Sequence, residues 1–115
     1  MISVAEAKVY RLNGQYDKAI ETLNASSRSE NPEFKFEKAR CYRLKKEYTE
    51  ALNILESCEW KGGLYELAIL HYEMGDMNKA ILYMDQFIND YEDPDPEYVK
   101  INKAMEFVNK WKNQS

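Results

Sequence analysis

The chain has little of the material from which sites of chemistry are built. In 115 residues it holds one histidine, two cysteines, three prolines and four glycines. A single His71 among scattered carboxylates gives a metal centre no ligand cluster, because zinc-type sites gather several Cys, His or carboxylate side chains. Cys41 and Cys58 lack metal-type spacing, and without a secretion signal they are expected to be reduced and structural. The glycines fall at positions 14, 62, 63 and 75, too scattered for a phosphate-cradling loop. Nothing favours a Ser-His-Asp or Cys-His nucleophile. The expectation is no enzyme, no cofactor and no metal. Long apolar runs are also missing, and none approaches the ~20 residues that cross a bilayer. The start, MISVAEAKVY, lacks the basic-then-apolar layout of a secretory signal. The chain therefore reads as cytoplasmic, with no membrane contact. Its net charge of −4 disfavours a nucleic-acid partner.

What is present is a pattern met three times. It reads Gly14-Gln15-Tyr16-Asp17-Lys18-Ala19-Ile20, then Lys46-Glu47-Tyr48-Thr49-Glu50-Ala51-Leu52, then Gly75-Asp76-Met77-Asn78-Lys79-Ala80-Ile81. Leu23, Leu55 and Met84 close the three copies. Upstream stand Ala7-x-x-Tyr10, Ala39-x-x-Tyr42 and Ala68-x-x-His71. In each copy the two alanines lie 12 apart, while the copies themselves are offset by 32 and 29. A fixed inner spacing with a variable outer one predicts two helices packed around a fixed contact, joined to the next pair by an adjustable loop. Repeats of this length usually form solenoids. With 44% hydrophobic residues and nine tyrosines, which suit half-buried sites, there is enough apolar surface for a continuous core.

Ser3-x-x-Glu6 is a capping box, so the first helix is expected from Val4 to Leu12. Asn13-Gly14 ends it, and the second helix runs from about Tyr16 to Ala25, with Tyr16, Ala19, Ile20 and Leu23 as its stripe. Asn31 caps and Pro32 opens the third, which carries Phe36, Ala39, Tyr42 and Leu44. A turn without glycine leads to the fourth, with Tyr48, Ala51, Leu52 and Leu55. The fifth holds Leu64, Leu67, Ala68 and His71. The sixth holds Met77, Ala80, Ile81, Met84, Phe87 and Ile88. Asp93-Pro94-Asp95-Pro96 stops it, and Glu92 to Asp95 reads as a solvated acidic loop. A seventh helix runs from about Pro96 to Lys112 with Tyr98, Ile101, Met105, Val108 and Trp111 inward and a polar outer face, as suits a terminal cap.

Small-x-x-Tyr, a turn, then Ala-x-x-x-large on paired helices resembles the tetratricopeptide repeat (TPR) family. The resemblance spans nearly the whole chain: repeats at 3–30, 32–58 and 63–91, and a capping helix at 96–112. The family's early Trp is Ser3, Lys35 and Leu64 here, and its Tyr is replaced once, by His71, which reads as a packed core residue. The resemblance implies an all-α, antiparallel helix-hairpin solenoid of about seven helices, a right-handed superhelix forming one domain over 1–115. It also implies a non-catalytic protein–protein interaction scaffold that binds a partner segment on the concave face lined by the first helix of each pair.

On that face the candidate peptide-binding residues are Lys8 and Arg11, then Phe36, Arg40 and Arg43, then Tyr65, Ile69 and Tyr72. Lys8/Arg11 and Arg40/Arg43 are each three apart and share a helix face. Together they make a basic strip running into apolar and aromatic residues. Such a strip suits an acidic peptide with an apolar anchor, since Arg grips carboxylates bidentately. The plainer alternative is that these cations pair with Glu6, Glu37 and other carboxylates and only solubilise the face. TPR co-chaperones that hold the carboxyl terminus of heat-shock proteins use a Lys/Asn/Arg clamp. Its positions are Val4, Lys8, Glu37, Gly62 and Glu66 here, none bearing the required residue, so that partner is not expected. Two rivals remain open: a self-associating module, a homodimer through the edge of the first hairpin or by exchange of the last helix, and a piece of a larger TPR scaffold. An enzyme is a distant further reading.

The alanine contact generates a first test. Ala51→Leu is expected to cost about 1–3 kcal/mol by overpacking, read as a lower urea midpoint with helical circular dichroism retained. Unchanged stability would place Ala51 away from any close contact.

Overall fold

In the computed structural model, which describes residues 4–58, 62–90 and 101–114, every element is a helix. They are α1 (Val4–Leu12), α2 (Tyr16–Ala25), α3 (Pro32–Leu44), α4 (Tyr48–Glu56), α5 (Gly62–Glu73), α6 (Met77–Asn89) and α7 (Ile101–Gln114). The chain divides into two compact units, Met1–Glu59 and Trp60–Ser115. In the first, α1 pairs with α2 and α3 with α4, and α3 also packs on both α1 and α2. In the second, α5 pairs with α6, and α7 packs on α6. The fold is all-α and built of helical repeats, as the spacing predicts.

Each hairpin turns in the same way. The amides of Gly14 and Gln15 donate back to the carbonyls of Arg11 (3.0 Å) and Tyr10 (2.8 Å). Lys46 and Glu47 donate to Arg43 (2.9 Å) and Tyr42 (2.9 Å), and Gly75 and Asp76 donate to Tyr72 (3.1 Å) and His71 (2.8 Å). This doubled bond satisfies the orphan carbonyls at a helix end and requires a left-handed residue between the helices. Gly14 (φ 80°) and Gly75 (φ 89°) supply it, and so does Lys46 (φ 66°). Caps set the starts. Asn31 accepts from the Glu33 amide (2.9 Å) ahead of Pro32, and Asp76 accepts from the Lys79 amide (3.1 Å).

The repeated alanines are at the centre. Ala7, Ala19, Ala51, Ala68 and Ala80 are fully buried and Ala39 is 1% exposed. In the first unit the core gathers Ala7, Ala19, Ile20, Leu23, Phe34 and Cys41, with Tyr10, Tyr16 and Tyr42 at its edge. In the second it gathers Tyr65, Ala68, Ala80, Met84, Phe87, Ala104, Val108 and Trp111. His71 is buried and stacks on Tyr83, 5.3 Å between centroids. Two expectations need correction. Leu44 lies at the solvent edge, and Phe34 and Cys41 fill the core from α3 instead. Met105 is half exposed; α7 buries Ala104, Val108 and Trp111, because the small Ala104 permits close approach while Trp111 fills the space beyond. The Ser3 half of the capping box, Tyr98 and the stretch from Glu92 to Pro96 lie outside the described residues.

Lys46 holds a conformation that costs an L side chain about 1–2 kcal/mol. Lys46→Gly is expected to raise stability by about 1 kcal/mol, and Gly75→Ala to lower it by about as much. At Gly75 an added Cβ meets nothing within 4 Å, so the loss there is backbone strain alone. Thermal midpoints test both; a neutral pair would mean that the turn is not held in the left-handed region.

Candidate functional site

Two cations of the first unit, Arg11 and Arg40, meet at one buried carboxylate. Glu37 sits on the inward stripe of α3 between Phe34 and Cys41 and is fully buried. Arg11, reaching across from α1, forms an ion pair through Nε with Oε2, and its Nη2 lies 3.4 Å from Oε1. Arg40, one turn along α3, places Nη1 3.5 Å from Oε1. Both guanidinium side chains are about one-fifth exposed, at 19% and 20%. Glu37 thus holds two arginines whose side chains remain partly exposed. Cys41 is fully buried one turn further on. Burial pushes its thiol up to about 11, the Glu37 carboxylate adds to the shift, and Arg11, Arg40 and Lys45 oppose it. Cys58, half-buried, is also raised by burial, and both thiols are free.

Lys8 and Arg43 are half-buried, three residues from Arg11 and Arg40 on the same helices. Among the described residues Lys8 has no ion pair. Lys45, at the end of α3, bonds the Asp17 carboxylate of α2, which holds the ammonium above its ordinary value. Its Nζ also lies 3.4 Å from Glu47 and 5.9 Å from the Tyr42 ring centroid. The pairing with Glu37 that the alternative reading expects is present for Arg11 and Arg40.

Phe36 is buried at 5% exposure. The remaining candidates lie in the second unit, and its own packing engages them. Tyr65 is 7% exposed and contacts Phe87 (5.5 Å) and Phe107 (6.3 Å). Ile69 is half-buried against the same core. Tyr72 stacks on Trp111, 4.9 Å apart and 16° from parallel, and its hydroxyl donates to Gln114 Oε1 (3.4 Å). Trp111 in turn stacks on Phe107 at 5.3 Å. These rings form the seat of α7. The sequence names Glu37 as a partner for these cations but does not place it as a buried joint between two repeats. Its signal was a carboxylate inside an otherwise apolar Phe34-x-x-Glu37-x-x-x-Cys41 stripe.

Comparison with known families agrees with this architecture. The tetratricopeptide repeat model matches residues 63–93, and the model described as anaphase-promoting complex, cyclosome, subunit 3 matches residues 3–58. The chain is a repeat protein of the tetratricopeptide type. Repeats of this type generally mediate protein–protein interaction and are typically non-catalytic. No curated protein and no solved structure matches the chain significantly. No helix among the described residues is long and apolar enough to cross a membrane.

Removing one partner of a wholly buried ion pair costs about 3–5 kcal/mol. The two arginines can still reach water, so Glu37→Gln is expected to cost less, about 2 kcal/mol. Urea denaturation measures this, and an unchanged midpoint would show that the carboxylate contributes nothing net to folding.

Proposed function

We propose that this chain is a non-catalytic interaction adaptor whose α1/α3 face takes an acidic segment of a partner protein. One observation carries the reading: four cations, Lys8, Arg11, Arg40 and Arg43, stand on the first helices of two successive hairpins, and one buried carboxylate, Glu37, ties Arg11 to Arg40. Its bonds to Arg11 and Arg40 also hold the guanidiniums in place before a ligand arrives, which lowers the ordering cost of binding. Arginines fixed in this way can offer their outer N–H groups to a second carboxylate. The family model over residues 3–58 is named for a subunit of a complex, which fits a role inside an assembly. The reading is confined to the first unit.

The test is fluorescence anisotropy with a labelled peptide of mixed Asp and Glu, against a neutral peptide of equal length. The acidic peptide is expected to bind more tightly and to lose affinity as salt is raised. Lys8→Glu disturbs no ion pair among the described residues and should weaken binding about 10-fold, equivalent to ~1.4 kcal/mol. Arg43→Glu, checked for folding by circular dichroism, should do the same. Equal affinity for acidic and neutral peptides would sink the proposal.

A further inference from the structure

Charge is unevenly placed along this chain. Residues 90–100 hold five carboxylates and one lysine, while the other residues hold fifteen cations and fifteen carboxylates. The whole net charge of −4 therefore sits in one short stretch. Within it Glu92, Asp93, Asp95 and Glu97 place four carboxylates in six positions. The opposite sign gathers elsewhere. α1 and α3 carry six cations against three carboxylates, and one of the three, Glu37, is already engaged by Arg11 and Arg40. Like charges set so closely repel one another, and a cationic surface relieves that repulsion.

We propose, resting on the reading of the α1/α3 face as one that takes an acidic segment, that residues 92–97 of a second copy of this chain are that segment. Charge complementarity carries the pairing, since the densest acid of the chain meets its most cationic helices. Spacing supports it. Nη2 of Arg11 and Nη1 of Arg40 lie 3.4 Å and 3.5 Å from the same Glu37 oxygen, so the two guanidiniums stand side by side. Lys8 adds a third cation three residues before Arg11 on α1. Alternate residues of an extended chain point the same way, about 6–7 Å apart, and Asp93 and Asp95 are alternate. Each precedes a proline, a position that favours extended backbone and so lowers the ordering cost of binding in that form. Supply favours a second copy: face and segment occur once in every chain, so the ligand is always present at the concentration of its site. The two surfaces differ, which makes the contact head-to-tail, with each copy giving a segment and receiving one.

Light scattering of the full chain, over a range of concentration at low and high salt, tests this. The mean mass is expected to rise with concentration at low salt and to stay at one chain at high salt. Asp93→Asn with Asp95→Asn should weaken association at least ~10-fold while leaving the binding of a mixed Asp and Glu peptide unchanged. Lys8→Glu should weaken association and peptide binding together. Mixing these two variants supplies one intact face and one intact segment, so the mixture should form pairs where neither variant alone does. A wild type that stays monomeric, or a mixture that forms no pairs, would overturn the proposal. If such a chain still binds the mixed acidic peptide, the adaptor reading stands and only this occupant falls; if it does not, both fall. A monomer in which the two asparagines tighten peptide binding would overturn the second copy in favour of the chain's own segment.

Discussion

The three hairpins depend on one constraint, a chain reversal through a single left-handed residue. Once the amides after it bond back to the last turn of the first helix, the second helix can start in only one place. That place brings the second alanine against the first helix. The spacing of 12 between alanines is therefore a consequence of turn geometry and helix pitch together. Lys46 shows that the constraint lies in the backbone rather than in glycine as such. The middle turn keeps the same bonds with a strained residue, and the surrounding contacts hold it there.

Burying Glu37 is the costly step in the first unit. A carboxylate taken wholly out of water is tolerable only with partners, and both partners come from cations that would otherwise be routine surface residues. The contact with Arg11 links α1 to α3 over 26 residues of sequence and so fixes one repeat against the next. A hydrophobic residue at that position would pack without demanding a particular register. The ion pair does demand it, because the bidentate geometry fails if α3 slides by a turn. The carboxylate that pins the repeats also pins the two arginines, whose side chains stay about one-fifth exposed.

The fold was legible because its signals are local and repeated. Asn31-Pro32, the Gly14 and Gly75 turns and the alanine pairs each act within one hairpin, and the helix limits follow from them. Burial on the faces between repeats was less legible. Leu44 looked like core and is at the edge, while Phe34 and Cys41 do that work, because which stripe of α3 is inward depends on where α1 and α2 lie. The basic residues were visible as pairs three apart, but a pairing across 26 residues is not a local pattern. It becomes readable only by adding the repeat offset to the helix register. Tyr65 and Tyr72 illustrate the same limit: on their own helix they look like a ligand stripe, and only the placement of Phe107 and Trp111 on α7 shows what they hold.

α7 and α1 divide their surfaces in opposite ways. α7 turns Ala104, Val108 and Trp111 inward and leaves Asn102, Lys103, Glu106, Asn109 and Lys110 in water, with Met105 the exception. α1 buries Ala7 and half-buries Val4 and Tyr10, yet shows Val9 and Leu12 to solvent. The difference is in the residues, not in the neighbours alone. Charged side chains at positions 9 and 12 would leave the alanine contact intact, as the exposed Lys103 and Glu106 leave that of Ala104 on α7. Their absence marks α1 as a helix whose outer face has kept the composition of an interior one.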